Sequence, residues 1–431
     1  IPNNLYLNGG TRKVMDETVT LELTVNGINY RRPRKPIVVV CVDGGDATYY
    51  EQGLKDGILP NLRRFMDNGF SDLADGVVPS FTNPNNLSIV TGTPPAIHGI
   101  SGNFFLEPKS GKAVMMNNPD FLRVETLFAA YSRIGGQVVV ITAKDKLRLL
   151  LGKGMRNGIC FSSEKADTCT LREHGIEDVL ELVGWPLPDV YSAELSLFAM
   201  EAGIKLLERD KPDLMYLSLT DYIQHTYAPG SQEANQFYSC LDDAFGRLEA
   251  LGALVAITAD HGMNDKSRDD NTPNVIYLQD HLDNMLGVGT TRVILPITDP
   301  YVAHHGALGG FARIYCLDGF SPVTVIESVL TLRGIEGVYD RNEVCEIFDL
   351  PPDIEGDVAV ISDARTVIGS SESKHDLSQL KGKRLRSHGG VSERRVPFIM
   401  SEPLNETYKK RAELGTLRNF DIFDFAVNGT V

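Results

Sequence analysis

The sequence predicts an α/β protein: a mostly parallel sheet with helices on both faces, plus a smaller α+β cap. Three observations lead there. Short, continuous apolar runs recur at 37–42, 137–142, 214–219 and 254–258, without the polar alternation of a half-exposed strand. Stretches with helical periodicity, 60–69, 124–134, 193–208 and 234–251, lie between them, and buried strands alternating with helices build a parallel sheet covered on both sides. After about residue 290 the strands shorten and gather round one helical stretch, 323–332, which marks a separate small α+β unit.

Taken in order, residues 1–35 hold an alternating run, Leu21-Glu22-Leu23-Thr24-Val25, and lead into the basic Arg31-Arg32-Pro33-Arg34-Lys35-Pro36. Two prolines and an acidic host make that run a solvated linker rather than a nucleic-acid arm. The apolar runs and helices within 1–275 form the core, which 380–431 rejoin with a late strand at 396–400. Between them 276–379 reads as the cap, with strands at 293–297, 311–317, 337–344 and 358–361.

The chain has 431 residues, 42% of them hydrophobic, enough for a large core, and a formal net charge of −15. That charge argues against nucleic acid or an anionic membrane as partner. A small anionic substrate must then be drawn in locally, by metal ions or a few lysines. Six cysteines form no CxxC pair, and reduced, buried thiols are the ordinary reading in a chain of this size. Residues 1–30 lack the charged start and apolar run of a secretory leader, and no stretch reaches membrane-spanning length, so the default expectation is a cytoplasmic protein. The oligomeric state is open, a homodimer included.

The chemistry gathers where apolar runs end. Asp43 closes the first, Asp221 and His225 follow the run ending at Thr220, and Asp260-His261 follow the run ending at Ala259. In a parallel sheet these are carboxyl ends of strands, where ligands bind. Carboxylates and imidazoles are the ligands that a catalytic divalent cation uses. Taken singly, Asp221 reads as a helix cap, His225 as a core histidine and Asp260-His261 as a turn. Their recurrence after similar strands favours a shared site, and the four-residue spacing of Asp221 and His225 puts both on one face of a helix. The segment Ser80-Phe81-Thr82-Asn83-Pro84 reads as a loop entering a helix, with Thr82 near an amino end that favours anions. His388, in Ser387-His388-Gly389-Gly390, would by itself be an exposed turn residue.

In these motifs the chain resembles the alkaline phosphatase superfamily of two-metal hydrolases. The signature is Asp43-Gly44, Phe81-Thr82-Asn83-Pro84, His98-Gly99-Ile100 with Asn103, Asp221 with His225, Asp260-His261-Gly262-Met263, and His388, in the expected order. The branch it resembles holds the nucleotide pyrophosphatase/phosphodiesterases and, most similar, the phosphonoacetate hydrolase family. The resemblance implies an alkaline-phosphatase-like fold and two zinc ions, with manganese or iron able to replace them. It implies Asp221, His225 and His388 at one metal, and Asp43, Thr82, Asp260 and His261 at the other. It implies Thr82 as a nucleophile that is transiently phosphorylated, with Asn103 holding phosphonate oxygens.

Lys144-Asp145-Lys146 would be an ordinary charged turn on sequence grounds, whereas the resemblance implies that Lys144 and Lys146 hold the substrate carboxylate. The expected reaction is cleavage of the P–C bond of a small phosphonate to acetate and phosphate. Two other classes compete: a nucleotide pyrophosphatase/phosphodiesterase, which needs an aromatic slot for the base, and a non-catalytic metal-binding or sensor protein. A Rossmann reading of Gly44-Gly45 fails, because no GxGxxG follows. His304 and His305 are left out of the metal set, since adjacent strand side chains point apart.

Overall fold

A computed structural model describes residues 23–107, 110–298, 305–380 and 382–430. Its centre is a seven-stranded sheet in the order Phe70–Asp75, Arg395–Met400, Leu254–Thr258, Ile37–Cys41, Leu214–Ser218, Val138–Thr142, Ile159–Ser162. The last five are mutually parallel, and Arg395–Met400 runs antiparallel to both its neighbours. The apolar runs lack alternation because both faces are covered. Ile37, Val39 and Cys41 pack on one side with Thr82–Thr91, Leu127–Arg133 and Ile422–Asn428. Val38, Val40 and Val42 pack on the other with Glu194–Asp210 and Gln232–Ala250. Each fully buried valine contributes roughly 1.5–3 kcal/mol. Two strands escape the apolar-run criterion, Phe70–Asp75 and Ile159–Ser162, both at sheet edges, the first largely half-exposed and the second only four residues long.

The strand register fixes the site. Thr258 pairs with Cys41, Cys41 with Ser218 and Ser218 with Thr142, so four parallel strands end level. Asp260, Asp43 and Lys144 each follow their strand's last residue by two positions, and Asp221 follows by three. All four therefore project from one edge.

The second unit is a four-stranded antiparallel sheet, Thr291–Ile294, Phe311–Cys316, Val358–Ser362, Ile335–Asp340, with helices Pro322–Val329 and Arg341–Phe348. The strand expected over 337–344 ends at Asp340, where a capping box with Glu343 starts a helix. This unit shares a hydrophobic cluster with the core: Val78 and Phe81 pack among Leu295, Ile297 and Phe311. Of the alternating run near the start, Leu23–Val25 is a strand paired with Ile28–Tyr30, while Leu21 and Glu22 lie outside the described residues. Arg31 is tied to the chain end through Val427 O and Thr430 O rather than solvated. All six cysteines are free. Among the described residues no helix is long and apolar enough to cross a membrane.

Candidate active site

Asp43, Asp221, Asp260, His225, His261 and His388 are all buried and converge at the sheet edge. They form two overlapping groups. His225 Nε2 lies 2.9 Å and His388 Nε2 3.7 Å from Asp221 Oδ2. His261 Nε2 lies 3.3 Å from Asp43 Oδ1 and 3.5 Å from Asp260 Oδ2. Ligand atoms of Asp221, His225 and His388 fall within 4.8 Å of one another, and so do those of Asp43, Asp221 and His261. Asp221 thus stands between the two groups. It occupies the N-cap position of the short helix Tyr222–Thr226, yet makes no side-chain cap bond and turns its carboxylate to His225 one turn on.

Second contacts orient the imidazoles. His225 Nδ1 faces Arg386 O at 2.7 Å, His261 Nδ1 faces Gly262 O at 2.9 Å, and His388 Nδ1 faces Ser80 O at 2.7 Å. A carbonyl accepts only, so each Nδ1 carries a proton, which leaves Nε2 as the atom of each ring that faces the carboxylates and could ligate a cation. Asp260 Oδ1 is taken by the N–H groups of Gly44 and His261, while its Oδ2 accepts no hydrogen bond among the described residues. Gly44 at φ +65° passes so close that a Cβ would lie 3.1 Å from Gln224 and 3.3 Å from Asp221.

The electrostatics fit a bound cation. Burial, then Asp221 and Asp260, push the Asp43 carboxyl well above its ordinary value; burial and Asp221 push Asp260 up to about 7. Burial, then the neighbouring imidazoles of His261 and His225, hold His388 well below the usual imidazole range. Three crowded carboxylates beside imidazoles are a poor arrangement for protein alone and a good one for divalent metal.

Thr82 is the first residue of helix Thr82–Thr91 and does not cap it; Phe81 holds the N-cap position. The Thr82 hydroxyl points into the cluster, 3.5 Å from His261 Nε2. Thr82, Asn103, Lys144 and Lys146 line one pocket with Asp43, Asp221 and His388. Lys144 Nζ reaches 3.6 Å from Asp221 Oδ1.

Sequence reasoning missed several participants. His305 is buried in the pocket wall and stacks on His225 at 4.9 Å, while His304 lies outside the described residues. Burial, then the neighbouring His225, hold its imidazole down to about 3. Arg386 donates to Gln224 O and Met263 O, joining the segments after Asp221 and Asp260. Glu393 accepts Gly390 N on its side chain and Gly262 N on its carbonyl, and pairs with fully buried Lys266. Only a histidine pair flagged His305; nothing local marks Arg386 or Glu393.

The family model of type I phosphodiesterase / nucleotide pyrophosphatase matches residues 37–390. The structure is similar to that of a phosphonoacetate hydrolase from Sinorhizobium meliloti in complex with phosphonoformate, at 48% identity and TM-score 0.90, over 96% of this chain and 100% of that one. The same enzyme in complex with phosphonoacetate aligns at 47% identity and TM-score 0.89, with the same coverage. Murine ectonucleotide pyrophosphatase/phosphodiesterase 5 shares the fold, at 16% identity and TM-score 0.62 over 92% of this chain and 96% of that one. In sequence, an uncharacterised pyrophosphatase/phosphodiesterase of Schizosaccharomyces pombe is 24% identical over 64% of this chain, which spans 51% of that protein. Human ectonucleotide pyrophosphatase/phosphodiesterase family member 1 is 24% identical over 59% of this chain, which spans 26% of it. With the family model covering most of its length, the chain belongs to the type I phosphodiesterase / nucleotide pyrophosphatase family of the alkaline phosphatase superfamily.

Proposed function

We propose that this protein hydrolyses the P–C bond of phosphonoacetate to acetate and phosphate, with two zinc ions and Thr82 as nucleophile. The observation that carries the reading is that Lys144 and Lys146 enter the same pocket as Thr82 and the Asp/His cluster. A phosphonate end and a carboxylate end are then both provided for. Phe81 in its wall is buried and lies edge-on to His388 at 5.6 Å, so it offers no open stacking face for a base. The similarity to the Sinorhizobium enzyme supports the same substrate class.

Asp221, His225 and His388 would hold one metal, and Asp43, Thr82, Asp260 and His261 the other. When bound, the two cations supply positive charge to the phosphonate oxygens and acidify the hydroxyl and the water that react. Thr82 Oγ1 forms the bond to phosphorus at the amino end of its helix, where unpaired N–H groups favour the anion. Asn103 holds a phosphonate oxygen. The P–C bond breaks, and its electron pair passes to the methylene carbon and into the adjoining carboxylate. Lys144 and Lys146 stabilise charge that grows there toward the transition state, which is catalysis rather than uniform binding. Protonation of that carbon gives acetate. Water then cleaves the phospho-threonine, releasing phosphate and restoring Thr82. Zinc is the proposed metal because imidazole and carboxylate ligands suit it, with manganese or iron able to replace it. The cytoplasm is the proposed compartment, in keeping with six unpaired thiols.

The test is product analysis on two substrates. The metal-loaded protein should release acetate and phosphate in equal amounts from phosphonoacetate and turn over a nitrophenyl nucleotide ester far more slowly. The reverse ranking would favour a nucleotide phosphodiesterase. Thr82→Ala should keep the fold and lose on the order of a thousandfold in kcat; substantial phosphate release by that variant would refute the nucleophile.

A further inference from the structure

Arg313 lies on the cap strand Phe311–Cys316 and pairs with Glu355, both side chains fully buried. Its Nε donates to Glu355 Oε2 and its Nη2 to Glu355 Oε1, each at 2.6 Å, a two-toothed fork. A sealed ion pair adds little net stability, because desolvation offsets the attraction. Its use is therefore sought in geometry.

The remaining donors reach out of the cap. Arg313 Nη1 donates to Phe104 O at 2.8 Å, and Nη2 to Ser101 O at 2.8 Å and Ser101 Oγ at 2.7 Å. Ser101 Oγ donates in turn to Glu355 Oε1 at 2.8 Å. The guanidinium thus grips the chain on both sides of Asn103. Two other bonds hold Asn103 itself: its N–H donates to Pro296 O at 2.7 Å, and its carbonyl accepts Met116 N at 2.8 Å. Gly102 packs closely on Pro296, where a Cβ would lie 2.7 Å away. Meanwhile the Asn103 side chain lines the pocket. Its Nδ2, the end that can donate to a phosphonate oxygen, makes only a long contact, 3.5 Å, to Ile297 O among the described residues, and its Oδ1 is buried without a hydrogen-bond partner among them. A backbone held this firmly beneath an under-used amide describes a group kept ready for a ligand.

We propose that Arg313 is a positioning residue: through Ser101 and Phe104 it fixes the amide of Asn103 where the phosphonate oxygens bind. This role rests on the reading of Asn103 as a phosphonate-holding residue. Arg313 touches no reacting atom, so its effect must pass through Asn103.

A double-mutant cycle tests this. Arg313→Lys keeps a positive charge beside Glu355, but one ammonium cannot reproduce the fork and both carbonyl contacts. The four proteins are wild type, R313K, N103A and N103A/R313K, each measured for metal content, melting temperature and kcat/KM on phosphonoacetate. R313K should keep its full metal content and lose between about ten- and a hundredfold in kcat/KM. The double variant should be no worse than N103A alone, since the residue through which Arg313 acts is already gone. Wild-type kcat/KM in R313K, or losses that multiply in the double variant, would overturn the positioning role and leave the reading of Asn103 intact. Wild-type kcat/KM in N103A would overturn that reading and the role of Arg313 with it. Should R313K not fold, the charge-free pair R313M/E355M takes its place in the cycle under the same criteria.

Discussion

His388 reaches the cluster from the far end of the chain, and its ring lies face to face with that of His261, 3.5 Å between centroids and 7° between planes. Each ring turns its Nε2 toward a different carboxylate, Asp221 for His388 and Asp43 for His261. Parallel imidazoles facing different acids fit the proposal of two cations, one per ring. Replacing His388 with Ala should therefore reduce bound metal from about two equivalents per chain to about one, while the protein stays folded. Metal analysis of the purified variant decides this, and two full equivalents would remove His388 from the ligand set. Composition offers no reason to select His388 among nine histidines; the ordered spacing of the whole motif set does. His305 illustrates the opposite failure, because its stacking on His225 depends on how the cap meets the core.

At the level of elements, the loop 388–390 and the segment 80–82 are laced together. Ser80 N donates to Gly389 O, Ser80 Oγ donates to Gly390 O, and Ser80 O orients His388. One segment carries the proposed nucleophile and the other a proposed ligand, so the lacing sets His388 relative to Thr82. Gly389 is the tight point: it sits at φ +121°, and a Cβ would lie 2.4 Å from the Phe81 ring. Gly389→Ala should cost roughly 2–4 kcal/mol and shift His388 and Thr82 together. Calorimetry alongside metal analysis would detect it, and an unchanged melting temperature with full metal content would contradict this account. Elements were legible where local chemistry decides them, as in the continuous apolar strands. The misread one is instructive. Residues 337–344 carry an apolar pattern that fits a strand, but Asp340 and Glu343 hold the two places of a capping box, and the box wins because it satisfies the orphan N–H groups of a helix start.

For the whole molecule, the site lies at a junction. The sheet edge supplies the acids, the first residue of the helix Thr82–Thr91 supplies the hydroxyl, and the cap closes the wall through Ile297 and His305. Because three buried carboxylates lie within one cluster, metal binding should stabilise the native state as a whole. Stripping the protein with a chelator should lower its stability by about 3 kcal/mol per site for a metal present at a hundredfold over its Kd, and added zinc should restore the melting temperature. Identical melting curves with and without chelator would argue that the cluster carries no metal. The sequence by itself determined the fold class, the strands that end in acids and, through ordered motifs, the family, and it proposed a ligand set, since buried strand patterns and ligand chemistry are written locally. Only the tertiary structure decided that Cys41, Ser218, Thr258 and Thr142 end level, that Asp221 stands between both metal groups, and that Arg313, Arg386 and Glu393 brace the ligand loops. Register and long-range hydrogen bonds join residues far apart in the chain, and no local pattern encodes which partners meet.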